Sequence, residues 1–286
     1  MARNEMEETN SGYRAIRIGD PSDWRLVMVI GAGGIETYLR NVENPMDEVE
    51  TLFREEWDGD TSTLLERVES AVYDHPQLLD DFAADIAIET PKALWIPEKI
   101  VEKGEESDSE DETPTVEKIY NTVYEAAEED IMQDYVDGKV CAYTLVPGLQ
   151  AFLQRTFPGA RIRCHQSVLV KRLCDRVVDM PRVYIDIRKG WADFVVFDGT
   201  KLLMAVSHEW RAQEDIRYHL FNLLDVYDID PKGVHVSLSG MRDEKNVLMQ
   251  VLRGDVAYVM KTLVPGIASK TGMSLVASLL MRSEKA

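Results

Sequence analysis

Only three cysteines occur in the 286 residues, Cys141, Cys164 and Cys174, and none stands in the C-x-x-C spacing of a zinc or redox pair. An odd, scattered set argues against a disulfide framework and points to reduced, mostly buried thiols in a cytoplasmic protein. Long apolar runs are missing too. The most apolar segment, Met273 to Met281, is far short of the ~20 residues that cross a bilayer, so membrane insertion is not expected. Met1 to Gly12 is polar and mixed in charge, without the apolar core of an export signal. Positive charge is scarce: 32 Lys and Arg against 51 Asp and Glu leave a net charge of −19. That balance repels nucleic-acid phosphates and anionic lipid, which argues against nucleic acid as a partner. The five histidines, His75, His165, His208, His219 and His235, form no i, i+4 pair of a helical zinc site, and no G-x-S-x-G elbow is present. Each histidine therefore reads as structural or exposed.

What is present is the texture of a globular chain long enough for one large or two medium domains. One segment interrupts it. Glu102 to Glu112 holds seven acids among serines, with almost nothing apolar to offset the entropy of ordering it, and reads as a solvated surface loop.

The second half carries the clearest pattern. Arg182 to Ile187 and Trp191 to Phe197 are β-rich runs separated by Arg188, Lys189 and Gly190, and Asp198-Gly199 turns the chain into Lys201 to Ser207. Phe194 and Val196 face one side while Val195 and Phe197 face the other, which predicts a sheet covered on both faces. Ile216, Leu220, Leu223, Leu224 and Tyr227 then recur at helical spacing behind Glu214 and Asp215, acids suited to a helix N-terminus. Val234 to Leu238 predicts a strand, Asp243 to Leu252 a helix with Val247, Leu248 and Val251 inward, and Val256 to Lys261 a last strand. The order βββαβαβ, a meander extended by crossovers, is the ribonuclease H-like arrangement.

The first half reads as a looser copy. Ala15 to Ile18 and Leu26 to Ile30 flank the turn Asp20 to Asp23, and Gly31 to Gly34 leads as a glycine hairpin into Ile35 to Leu39. The Gly31 turn is not a dinucleotide motif, because Glu36 stands where the third glycine belongs and a strand follows where a helix is required. It is matched instead with Asp198-Gly199. A charged elaboration leads to a helix over Thr61 to Tyr73, capped by Thr61 or Ser62, with Leu64, Leu65, Val68 and Val72 as its stripe. Strands at Asp85 to Ile88, Ala93 to Ile96, Val140 to Leu145 and Ile162 to His165 follow, with helices near Val116 to Asp134 and from Gly148 to Phe157, and a further helix leads into the second unit. The expectation is an α/β tandem of two ribonuclease H-like units, residues 1–178 with the acidic loop near 102–114 and residues 179–286, whose mixed sheets are covered by helices.

The run PRVYIDIRKGWADFVVFDGTKLLMAVSHEW, the later GVHVSLSG, and upstream ALWIPEKI and FPGARIRCHQS resemble an uncharacterised family from Bacteroidetes, domain of unknown function 3822. The resemblance implies an actin-like ATPase superfamily fold, similar in plan to the actin-like proteins of pilus assembly and secretion systems, and no established activity. Nucleotide sites of that superfamily use glycine-rich hairpins between the first two strands of each half, whose backbone N–H groups approach phosphate. The corresponding turns are taken as Gly19 to Ser22 and Asp186 to Gly190. Arg188 stands where a glycine is wanted and Pro21 removes an N–H from the other turn. Ser237-Leu238-Ser239-Gly240 supplies one glycine of the usual adenosine-contacting pair. The candidate cofactor residues are thus Asp186, Arg188, Lys189, Gly190, Ser239 and Gly240, for ATP and magnesium. A nuclease would need a third carboxylate where Ser237 and Ser239 stand. The reading is a non-catalytic actin-like scaffold or interaction protein with a degenerate nucleotide site, working through a protein partner or self-association, for example by a sheet edge or the helix around Ser274 to Met281. The alternative is an ATPase or sugar-kinase-like phosphotransferase using Lys189 and Asp186.

Overall fold

A computed structural model describes residues 20–42, 49–101, 115–125, 130–174, 179–262 and 273–282. The first strands are β1 (Trp24–Gly31), β2 (Gly34–Asn41) and β3 (Val49–Glu56), followed by helix α1 (Leu64–Asp74) and strands β4 (Ala83–Glu89) and β5 (Ala93–Pro97). A one-turn helix α2 (Glu98–Val101), helix α3 (Val116–Val123), strands β6 (Asp130–Val136) and β7 (Lys139–Leu145), helix α4 (Leu149–Thr156), strand β8 (Arg161–Cys164) and helix α5 (His165–Leu173) complete the first half. The second half runs β9 (Arg182–Ile187), β10 (Trp191–Asp198), β11 (Lys201–Glu209), α6 (Gln213–Val226), β12 (His235–Gly240), α7 (Arg242–Leu252), β13 (Tyr258–Lys261) and α8 (Leu275–Leu280).

Two five-stranded sheets repeat one plan. Their orders are β3-β2-β1-β4-β8 and β11-β10-β9-β12-β13, each an antiparallel meander extended by two parallel strands. Even the irregularities correspond: the second and third strands of each meander carry a register shift, opposite Leu52 in one and Leu203 in the other. A third sheet, β5-β7-β6, is inserted between β4 and β8.

Alternation of side chains along each strand sorts the core into layers. Leu26, Met28 and Ile30 of β1 join α1 and α4 in one cluster, while Val27 and Val29 point the opposite way. Phe194 and Val196 pack with α6 and α7, and Val195 and Phe197 turn to the middle. That middle layer holds α5 and α8 between the two sheets, so the halves share one apolar core. Each fully buried large side chain there contributes roughly 1.5–3 kcal/mol, and the base of the interface is therefore held by apolar burial.

Several expectations are corrected. The first meander is not Ala15 to Leu39: Ala15 to Ile18 and Gly19 lie outside the described residues, and the charged Val49–Glu56 stretch is the third strand. Glycines 31 and 34 therefore join the first and second strands, the position of Arg188 to Gly190 in the second half, not that of Asp198-Gly199. The helix expected to Asp134 ends at Val123, and β6 takes its C-terminal part. Asp137 and Gly138, at φ 48° and 70°, form the two-residue turn that folds β6 onto β7. On α7 the inward face is Leu248, Met249 and Leu252, whereas Val247 and Val251 are exposed. The acidic stretch Glu102 to Glu112 lies outside the described residues. No helix among them is long and apolar enough to cross a membrane.

Candidate functional site between the hairpins

The turns β1–β2 and β9–β10 stand at the same end of the central layer, where α5 begins. In the first half Gly31 pairs in register with Glu89, the last residue of β4; in the second, Ile187 pairs with Gly240, the last residue of β12. The small and large partners are exchanged between the halves. A Cβ on Gly31 would sit 2.8 Å from Cβ of Glu89, and one on Gly240, at φ +87°, would lie 2.6 Å from the Ile187 nitrogen. Both glycines are required for strand-to-strand packing.

Arg188 is the centre of the site. Its N–H donates to the Trp191 carbonyl at 2.9 Å, and the Trp210 indole N–H donates to the carbonyls of both Arg188 (2.9 Å) and Trp191 (2.8 Å), which fixes the turn. From this turn the guanidinium points inward, its side chain 10 % exposed. Nε donates to Oδ2 of Asp193 at 2.9 Å, Nη1 pairs with Glu89 of the other half, and Nη2 lies 2.8 Å from Oδ2 of Asp186, an ion pair whose alignment falls short of a hydrogen bond. Burial alone would lower the guanidinium's pKa, but the three carboxylates hold it above its ordinary value.

Asp193 is fully buried and collects three donors: Arg188 Nε, Nε2 of His165 at 2.9 Å and Oγ of Ser207 at 2.6 Å. Burial works to raise its pKa, yet His165 and Arg188 outweigh it and keep Asp193 below the usual carboxylate range. His165 opens α5, where a positive charge is disfavoured by the helix dipole. Its Nε2 faces Asp193 at 2.9 Å, while Nδ1 lies 3.2 Å from the Ile88 carbonyl and 3.5 Å from the backbone nitrogen of Thr90. Burial pushes this imidazole down, but the Asp193 charge dominates and the pKa is pushed up to about 10. The ring stacks on Trp191 at 5.8 Å between centroids. Burial drives the Glu89 pKa up, against the pull of Arg188.

The network continues. Gln166 donates from Nε2 to Ser207 at 2.9 Å and accepts the Trp95 indole N–H at 2.8 Å. Trp95 lies on β5, Ser207 on β11, Glu89 on β4 and Gln166 on α5, so one chain of hydrogen bonds and ion pairs joins all three sheets. The grouping of serine, histidine and aspartate is not a nucleophilic triad. Asp193 sits between the other two, and Ser207 has no bond to His165.

Of the expected cofactor residues, Asp186 and Arg188 meet in this network. Ser239 is buried beside Asp186 in register and its hydroxyl donates to the Ile185 carbonyl at 3.3 Å. Gly240 is packed against Ile187, while Lys189 and Gly190 form the exposed tip, where the Gly190 carbonyl accepts the Trp210 backbone N–H at 3.1 Å. Sequence reasoning missed Glu89, His165, Asp193 and Ser207; four elements bring them together, and no local spacing marks them. A nucleotide with magnesium fits these residues poorly. The Arg188 charge is already balanced by three carboxylates, and Gly31 and Gly240 abut Glu89 and Ile187, although Gly33 and Gly190 at the hairpin tips stand in open space.

The whole architecture matches known structures. A Bacteroides thetaiotaomicron protein with actin-like ATPase fold and unknown function superposes with a TM-score of 0.77 at 20 % identity, covering 92 % of this chain and 97 % of that one. The ethanolamine utilization protein EutJ of Carboxydothermus hydrogenoformans (TM-score 0.46, 6 % identity, 91 % and 90 % covered) and a PilM-PilN type IV pilus biogenesis complex (0.45, 11 %, 83 % and 88 %) are more distant, and nothing rests on them. The fold is accordingly that of the actin-like ATPases. The chain belongs to the family described as protein of unknown function, DUF3822, whose model matches residues 42–254. No protein of curated function matches it.

Proposed function

We propose that this chain is a non-catalytic, cytoplasmic actin-like protein that works as a scaffold, through contact with another protein or a second copy of itself. The observation that carries the reading is the occupation of Arg188 by Glu89, Asp186 and Asp193 at the turn where the fold class would grip phosphate. For ATP to bind there, the guanidinium has to leave three carboxylates, and those carboxylates then face the incoming phosphates. Reduced, buried Cys141 and Cys164 support the compartment. Every residue of α8 is buried, which favours a sheet edge over the helix around Ser274 to Met281 as the contact surface. Calorimetric titration with ATP and magnesium, followed by a phosphate-release assay, tests the proposal. The expected result is no turnover; robust turnover abolished by Asp186→Ala would overturn it.

A further inference from the structure

We propose that Arg188 is a built-in tether that holds the hairpin ends of the two halves together without any ligand. This deepens the scaffold reading and rests on it. The apolar layer around α5 and α8 joins the halves at their base, but the two hairpin turns lie beyond it, at the edge of that core. There the joining contacts are polar and cross from one half to the other: Glu89 to Arg188, His165 to Asp193, and Gln166 to Ser207. Arg188 has the central place among them. It holds one carboxylate of the first half, Glu89, and two of the second, Asp186 and Asp193, on a single planar group. Its backbone is fixed by Trp210 and Trp191, and Asp186 and Asp193 of the same half hold the guanidinium beside Glu89. Without it, three acids from the two halves would face one another across the gap and drive the hairpins apart.

The consequence is a scaffold presented in one fixed shape, independent of nucleotide supply. Hydrogen exchange read by mass spectrometry on the full chain tests this with Arg188→Ala and Glu89→Gln. Arg188→Ala is expected to speed exchange at least about tenfold in the peptides holding the β1–β2 turn, the β9–β10 turn and the first turn of α5, with the outer helices α1, α6 and α7 unchanged. Glu89→Gln keeps the side-chain shape and removes only the charge that crosses between halves; the same peptides should respond by roughly threefold. Because Glu89→Gln is close to isosteric, it gives the answer even where Arg188→Ala does not fold. Unchanged exchange at the turns in Glu89→Gln, or acceleration spread evenly over both sheets, would overturn the tether. ATP with magnesium added to the wild-type chain separates the two claims. Protection of the turns by ATP contradicts the scaffold reading, whereas the variants alone judge the tether.

Discussion

Replacing Asp193 by Asn keeps the volume of a fully buried side chain and removes the charge that answers both His165 and Arg188. All three of its contacts are made by donors, so an amide nitrogen placed at either oxygen position sets donor against donor. Breaking one partner of a buried ion pair costs about 3–5 kcal/mol. At about 2–4 °C per kcal/mol for a protein of this size, the melting temperature should fall by roughly 6–20 °C. The loss should also depend on pH. His165 has its folded pKa pushed up to about 10 against an ordinary 6.5, so its contribution is complete below the unfolded value and disappears as pH rises through 10. Asp193 has a depressed folded pKa, so its contribution is present above the ordinary 3.8 and is lost in acid. Urea melts from pH 6 to pH 10 should therefore show wild-type stability falling toward that of Asp193→Asn as pH rises. A difference below about 1 kcal/mol at pH 7, or a gap that stays constant to pH 10, would refute the buried ion pair.

Further substitutions test the packing. Gly240→Ala places a Cβ against the Ile187 backbone at φ +87° and should cost about 2–4 kcal/mol in urea unfolding, from a strained backbone and overpacking together. On α7, Leu248→Ala should cost about 2–5 kcal/mol, whereas Val247→Ala, on the exposed side, should stay within about 0.5 kcal/mol. Gly138→Ala, at φ +70° in the turn between β6 and β7, should destabilise by about 1–2 kcal/mol, read as a lower urea midpoint.

The meander of the second half was legible almost residue by residue, because β10 is buried on both faces and its turns carry Asp-Gly or Lys-Gly. The first meander was misread for a physical reason. In β3 only Leu52 and Phe53 are buried, and they are consecutive, since the bulge at Leu52 breaks the period of two that marks a strand. The strand β6 was hidden behind helix-forming acids, although Asp137-Gly138 carries the same hairpin signal that located β10 and β11. On α7 Val247 and Leu248 are adjacent and equally apolar, so the stripe could be drawn one position off, and only the sheet decides that Met249 and Leu252 turn inward. Arg188 was visible as a departure from a phosphate loop. Its fate was not, because Glu89 is 99 residues away and neither Asp193 nor His165 belongs to a recognisable spacing. A cation at a hairpin tip reads as solvated unless its partners are known.

A crystal structure grown in the presence of ATP and magnesium tests the central claim most directly. The occupied site predicts Arg188 within ion-pair distance of Glu89, Asp186 and Asp193, with no nucleotide density between the turns. Phosphates lying over Gly31 to Gly34 and Lys189-Gly190, with the Arg188 side chain swung out to solvent, would contradict it.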